Sequence, residues 1–160
     1  MSELCDAILH ITEAVCPRTL LAVGAAASGC LGGYAEAHRD CRLEPLEGED
    51  VPARLARLGR YDLALVAGVL EPLPVQAGAA LLARLRDVHA RRLLVLVRDG
   101  AGAWDESALR GYGLRPAGSW GGASGTTCLY EFDLYDYKTT PDWLNAKHWA
   151  HPELWDKYRW

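Results

Sequence analysis

The chain is short of several things, and each shortage removes a class of function. Only three of its 17 basic residues are Lys, and acids outnumber bases to give a net charge of −4 and a pI near 5.7. A phosphate-backbone binder shows a basic footprint, so no nucleic-acid partner is expected. The arginines that do cluster, Arg54/Arg57/Arg60 and Arg84/Arg86/Arg91/Arg92, fall on the polar sides of helical stretches and read as solvated faces. No apolar run approaches the ~20 residues that cross a bilayer, so no membrane partner is expected. The first residues, Met1 to Asp6, carry acids where a secretory signal carries a basic segment. The cysteines are odd in number (Cys5, Cys16, Cys30, Cys41 and Cys128) and no two are spaced C-x-x-C. That argues against a disulfide framework or a zinc ribbon and suits reduced thiols in a cytoplasmic protein. No Ser-His-Asp or Cys-His arrangement can be read. His10, His38 and His89 lie in helical stretches, and the pair His148 and His151 falls short of a metal site.

What remains is a hydrophobic chain of 160 residues, half of them apolar, a size that suits one domain with one core. Leu4, Ile8, Ile11 and Val15 recur at helical spacing over 3–16, ahead of Pro17. Residues 19–23 form an apolar run closed by Gly24, as expected of a parallel strand buried on both faces. A helix should follow to about residue 38, with the Gly32-Gly33 pair explained by close packing or a late start. A strand at 41–46 comes next. A short helix capped by Asp50 then places Val51, Leu55 and Leu58 inward and stops at Gly59. Residues 61–70 read as a central strand, 75–91 as an amphipathic helix and 93–97 as another buried strand. Beyond a short helix from Asp105 to Gly113, residues 114–120 and 126–137 read as a hairpin joined through 121–125. In its second strand Cys128, Tyr130, Phe132 and Leu134 share one face, and Glu131 and Asp133 the other. Alternating strands and helices imply a mostly parallel, Rossmann-like α/β sheet with right-handed crossovers, here ending in an antiparallel pair.

The segment Leu20-Leu21-Ala22-Val23-Gly24-Ala25-Ala26-Ala27-Ser28-Gly29 resembles motif I of the class I S-adenosylmethionine-dependent methyltransferases. Tyr61-Asp62-Leu63 through Val69-Leu70-Glu71 is similar to that family's fourth-strand motif, and the resemblance spans roughly residues 3–135. It implies S-adenosylmethionine as cofactor, held by Gly24, Ala25, Ala26, Ser28 and Gly29 of the turn, by Leu70, and by Glu44 as acceptor for the ribose hydroxyls. Glu71 and Asp99 follow strands at their carboxyl ends, where open α/β sheets place ligands, and are the candidate catalytic residues. The chain departs from the family at three points. Ala22 stands where motif I carries an acid, Ala26 replaces its second glycine, and only one short helix fits between Glu44 and Asp62. The body therefore reads as trimmed at one sheet edge. The turn also lacks the Gly-x-Gly-x-x-Gly of nicotinamide binders and the Gly-Lys-Ser/Thr of a P-loop.

The body, 1–137, is followed by a tail, 138–160, that holds four of the six tryptophans. Pro141-Asp142-Trp143-Leu144-Asn145 is echoed eleven residues later by Pro152-Glu153-Leu154-Trp155-Asp156, which predicts two short helical turns. Such a tail is expected to pack on the body over the bare edge, or to bind a protein partner or a second copy. Its ending resembles that of an uncharacterised family of small bacterial methyltransferase-like proteins. Two functions are thus expected as alternatives: an S-adenosylmethionine-binding methyltransferase, or a non-catalytic descendant of that fold serving as a binding or assembly module.

Overall fold

A computed structural model of the chain describes residues 2–48, 50–100, 102–122 and 125–136. The predicted tail turns therefore lie outside the described residues. Six strands form one sheet in the order β2-β1-β3-β4-β6-β5. They are β1 (Thr19–Val23), β2 (Arg42–Leu46), β3 (Tyr61–Ala67), β4 (Ala90–Arg98), β5 (Arg115–Gly122) and β6 (Gly125–Asp133). The first four are parallel; β6 runs antiparallel to β4, and β5 antiparallel to β6. This is the expected Rossmann-like sheet with its terminal hairpin. β2 forms one edge, and no described strand pairs beyond it, as the short interval between Glu44 and Asp62 predicts.

Successive strand residues point to opposite faces, so the apolar runs feed two cores. Leu20, Ala22, Leu63, Leu65 and Leu94 pack under α1 (Ser2–Val15) and α2 (Ala25–Ala37). Leu21, Val23, Ala64, Val66 and Val95 pack under α3 (Val51–Leu55), α4 (Val75–Arg84) and α5 (Glu106–Gly111). Burial on both sides is why these strands carry almost no polar residue.

Besides α3, which ends at Leu55 rather than at Gly59 and takes no side-chain cap from Asp50, the structure corrects four expectations. The helix from residue 75 ends at Arg84, Leu85–His89 forms a π turn, and β4 begins at Ala90 rather than Leu93. Arg60 explains the early stop, because its guanidinium donates to the carbonyls of Asp87 and Val88 at 2.8 and 2.9 Å. β3 ends at Ala67 instead of 70, where Gly68 turns the chain at φ +69°. Gly32 and Gly33 lie inside α2, and a Cβ at either would meet open space, so neither packing nor a late start accounts for them. Finally, the thiols are not all reduced: Cys5 of α1 is bonded to Cys30 of α2, with Cα atoms 5.4 Å apart. The two helices lie side by side over one core, which brings together cysteines whose spacing gives no motif.

Candidate ligand site at the carboxyl ends of the strands

β1 hands over to α2 at Gly24, and that residue has little freedom to be anything else. Its φ is +100°, a conformation L side chains rarely adopt, and an added Cβ would fall on the carbonyl oxygen of Ala67 and 2.7 Å from Val69 Cγ2. The turn is therefore pressed against the end of β3. On its other side Gly24 N–H donates to the Leu46 carbonyl at 3.0 Å, which continues the β1–β2 pairing one step past the strands. No side chain caps α2, and the N–H groups of a helix's first turn have no partner within the helix. Ala25, Ala26 and Gly29 are exposed on this turn.

The acid that reaches the turn is Glu47, which the sequence reading passed over. Ser28 Oγ donates to Glu47 Oε1 at 2.5 Å and also lies 3.3 Å from the Gly24 carbonyl. Glu44, the expected ribose acceptor, sits elsewhere. It pairs with Leu21 in the β1–β2 register, three residues before Gly24, or about 10 Å down the strand at 3.3 Å per residue. Its carboxylate lies 3.5 Å from Arg42, on the side of Tyr61. The reason is Pro45. An edge strand tolerates a proline, so β2 runs through it to Leu46 and its carboxyl end is Glu47. The signal in the sequence is the strand's end, since Glu47 is the first acid after Leu46.

Glu71 and Asp99 are brought together. With Gly68, Pro72, Arg98 and Gly100 they line an open cleft of about 450 Å³ between the ends of β3 and β4. Glu71 Oε1 accepts the Arg98 N–H at 3.2 Å, and the Asp99 N–H donates to the Thr126 carbonyl at 2.7 Å, tying the β4 end to the hairpin. Leu70 is wholly buried, so its side chain belongs to the core. Its carbonyl accepts a 3.1 Å hydrogen bond from the indole of Trp104, itself 5% exposed. Trp104 in turn lies across α4 at Gly78, where any Cβ would strike the indole ring. Trp104, beyond the end of β4, is thereby tied to the segment that follows β3.

Two features bear on whether S-adenosylmethionine fits. The ribose end is provided for, since an exposed carboxylate, Glu47, stands at the carboxyl end of β2 beside a turn that only glycine can make. The methionine end is not, because Ala22 lies wholly buried in the core under α2 and offers no polar atom there. Among the described residues no group of three His, Cys, Asp or Glu is placed to hold a metal ion. No described helix is long and apolar enough to cross a membrane.

Solved structures share this architecture. Magnesium protoporphyrin IX methyltransferase from Synechocystis PCC 6803, solved with bound S-adenosylmethionine, superposes with a TM-score of 0.57 at 16% identity, over 81% of this chain and 77% of that one. The methyltransferase domain of bacterial CtHen1-CN also gives 0.57, at 12% identity over 81% and 97%. The N,N-8-amino-8-demethyl-D-riboflavin dimethyltransferase from Streptomyces davawensis gives 0.54 at 17% identity, over 81% of this chain and 53% of that one. At such identities the likeness is one of fold: the chain has a class I methyltransferase-like fold. No curated protein matches the sequence. The chain belongs to the family of unknown function DUF6231, which matches residues 2–160.

Proposed function

We propose that this DUF6231 member binds S-adenosylmethionine at the Gly24 turn and acts as a methyltransferase on an acceptor held in the adjoining cleft. The observation that carries this reading is the placement at one rim of a glycine-only turn, the Glu47 carboxylate on its β2 side, and the Glu71–Asp99 cleft, lined by Gly68, on its β3 side. When bound, the cofactor supplies a methyl group activated on a sulfonium. The chain's own part is to bind and orient. Glu47 exchanges its Ser28 partner for the ribose hydroxyls, and the first-turn N–H groups of α2 face the ligand. Glu71, held by the Arg98 N–H, keeps its other oxygen for the acceptor and can take its proton. Asp99 offers a second acceptor group across the cleft, and positioning of this kind supplies much of what a transfer reaction needs. Gly24, Ala25, Ala26, Ser28 and Gly29 form the floor under the cofactor. Leu70 contributes through its backbone.

Ala22 favours a second reading. With no acid to grip the methionine end, the fold would be a non-catalytic binding module that kept the turn. Calorimetry with S-adenosylmethionine and S-adenosylhomocysteine separates the two. Binding to the natural chain, weakened about tenfold or more in Glu47→Ala (~1.4 kcal/mol or more) and unchanged in Glu44→Ala, supports the first reading. No heat at millimolar ligand overturns it.

A further inference from the structure

The bonded pair Cys5 and Cys30 has a counterpart at the other end of the same two helices. Cys5 and Cys30 are 25 residues apart in sequence, and so are Cys16 and Cys41. α1 precedes β1 and α2 follows it, both pack on the same face, and both run back along the strand. They are therefore parallel, and the second pair falls where both helices end. There Cys16 and Cys41 line one cleft of about 420 Å³ with Glu13, Tyr34, Ala37 and His38.

Each cysteine is fixed from its own side. Cys16 closes α1 at φ +49°, alone among the described non-glycine residues in taking positive φ, and its thiol donates to the Glu13 carbonyl at 2.9 Å. Helices commonly end with glycine or asparagine in this conformation, so a cysteine here is not a local convenience. Cys41 closes the turn after α2, its N–H donating to the His38 carbonyl at 2.8 Å. The next residue, Arg42, donates to the Arg18 carbonyl at 2.8 Å, the first rung between β2 and β1. Cys41 thus enters the sheet beside Arg18, two residues on from Cys16. Buried Tyr34 shares this cleft with both. Burial pushes its hydroxyl above the usual phenol range, and the two thiols and Glu13 add to the rise. Cys16 is exposed, whereas Cys41 is half-buried, with its thiol raised first by that burial and then by Asp62.

We propose that Cys16 and Cys41 form a thiol–disulfide exchange site, a reversible second crosslink between α1 and α2 made with a small disulfide of the glutathione type. The Cys16 thiolate attacks one sulfur of that disulfide, forming a mixed disulfide and releasing one small thiol. Cys41, losing its proton to solvent, then attacks Cys16 Sγ, closing the protein disulfide and releasing the second small thiol. Two protein thiols lose two electrons and two protons, and one small disulfide becomes two thiols. Exposure makes Cys16 the residue that meets the oxidant and burial makes Cys41 the resolving one, the arrangement typical of redox-responsive pairs.

The test is treatment of the full chain with oxidised glutathione, followed by thiol titration and peptide mapping. Free thiols should fall from three (Cys16, Cys41 and Cys128) to one, with the peptides of Cys16 and Cys41 linked to each other. Cys41→Ser should trap glutathione on Cys16. Cys16→Ser should leave Cys41 largely unmodified. Mapping that finds Cys16 and Cys41 each carrying its own glutathione, or both still open to alkylation, overturns the proposal. The wild-type map reads the linkage directly, so a variant that failed to fold would not obscure it.

Discussion

The two rims of the sheet treat their charges differently. At the amino-terminal rim, Asp62 accepts from the N–H groups of Arg18 and Thr19 and from the Thr19 hydroxyl at 3.0–3.1 Å, and lies 3.4 Å from Arg91. Arg92 pairs with Glu131 and lies 4.0 Å from Asp133. At the carboxyl-terminal rim, Glu47 meets a hydroxyl and Glu71 a backbone N–H, and neither they nor Asp99 take part in a described salt bridge. One rim spends its charges on holding strand starts together. The other holds Glu47 and Glu71 by single uncharged donors, in the place where open α/β sheets receive ligands. The charge pairing that ties the sheet together and the proposed ligand site lie at opposite ends of the same strands.

The largest test of this contrast is Gly24→Ala. A methyl driven onto the Ala67 carbonyl, at a φ that suits only glycine, should destabilise the fold by about 3 kcal/mol in urea unfolding. A loss under 1 kcal/mol would mean that the turn is looser than its packing against β3 indicates. Next is Asp62→Ala, which strands several donors at once and should lose about 2 kcal/mol. Glu71→Gln, compared in the same assay, should change stability by less than about 0.5 kcal/mol while removing methyl transfer. Equal losses for these two variants would break the contrast. Trp104→Phe removes one buried hydrogen bond to the Leu70 carbonyl and should lose about 1 kcal/mol, with the change concentrated in hydrogen-exchange protection of the loop after β4. The smallest effect concerns Cys128, whose thiol is held above its ordinary 9.0 by burial and then by Asp99 and Glu106. A raised thiol adds stability that is complete below pH 9 and lost as the pH rises through the folded value. Cys128→Ala should therefore flatten the alkaline limb of the stability curve slightly, as thermal melts between pH 8 and 11 would register.

The parts of the fold legible in the sequence are those where one local rule acts alone. Leu20 to Val23 and Leu63 to Val66 read as buried strands because both faces are covered, and the alternation of Tyr130 and Phe132 with Glu131 and Asp133 shows the hairpin strand directly. The end of α4 could not be read locally, since Val88 keeps the helical period while Arg60, 27 and 28 residues earlier, captures the carbonyls at that end. The disulfide was hidden for the same reason: Cys5 and Cys30 meet only because two helices share a face. At the candidate site, the Gly24 turn and the shared cleft of Glu71 and Asp99 follow from strand ends that the pattern marks well. Glu47 escaped because Glu44 falls within the expected strand 41–46, whereas the strand runs through Pro45 to Leu46 and delivers Glu47 at its end.

The direction of β6 has a consequence for reach. That strand runs down beside β4 until Asp133 stands opposite Arg92, so the described chain leaves the sheet at the rim away from the Glu71–Asp99 cleft. From Arg92 to Asp99 the climb along β4 is about 23 Å at 3.3 Å per residue. The cleft at one rim and the end of the described chain at the other are thus separated by nearly the full height of the sheet.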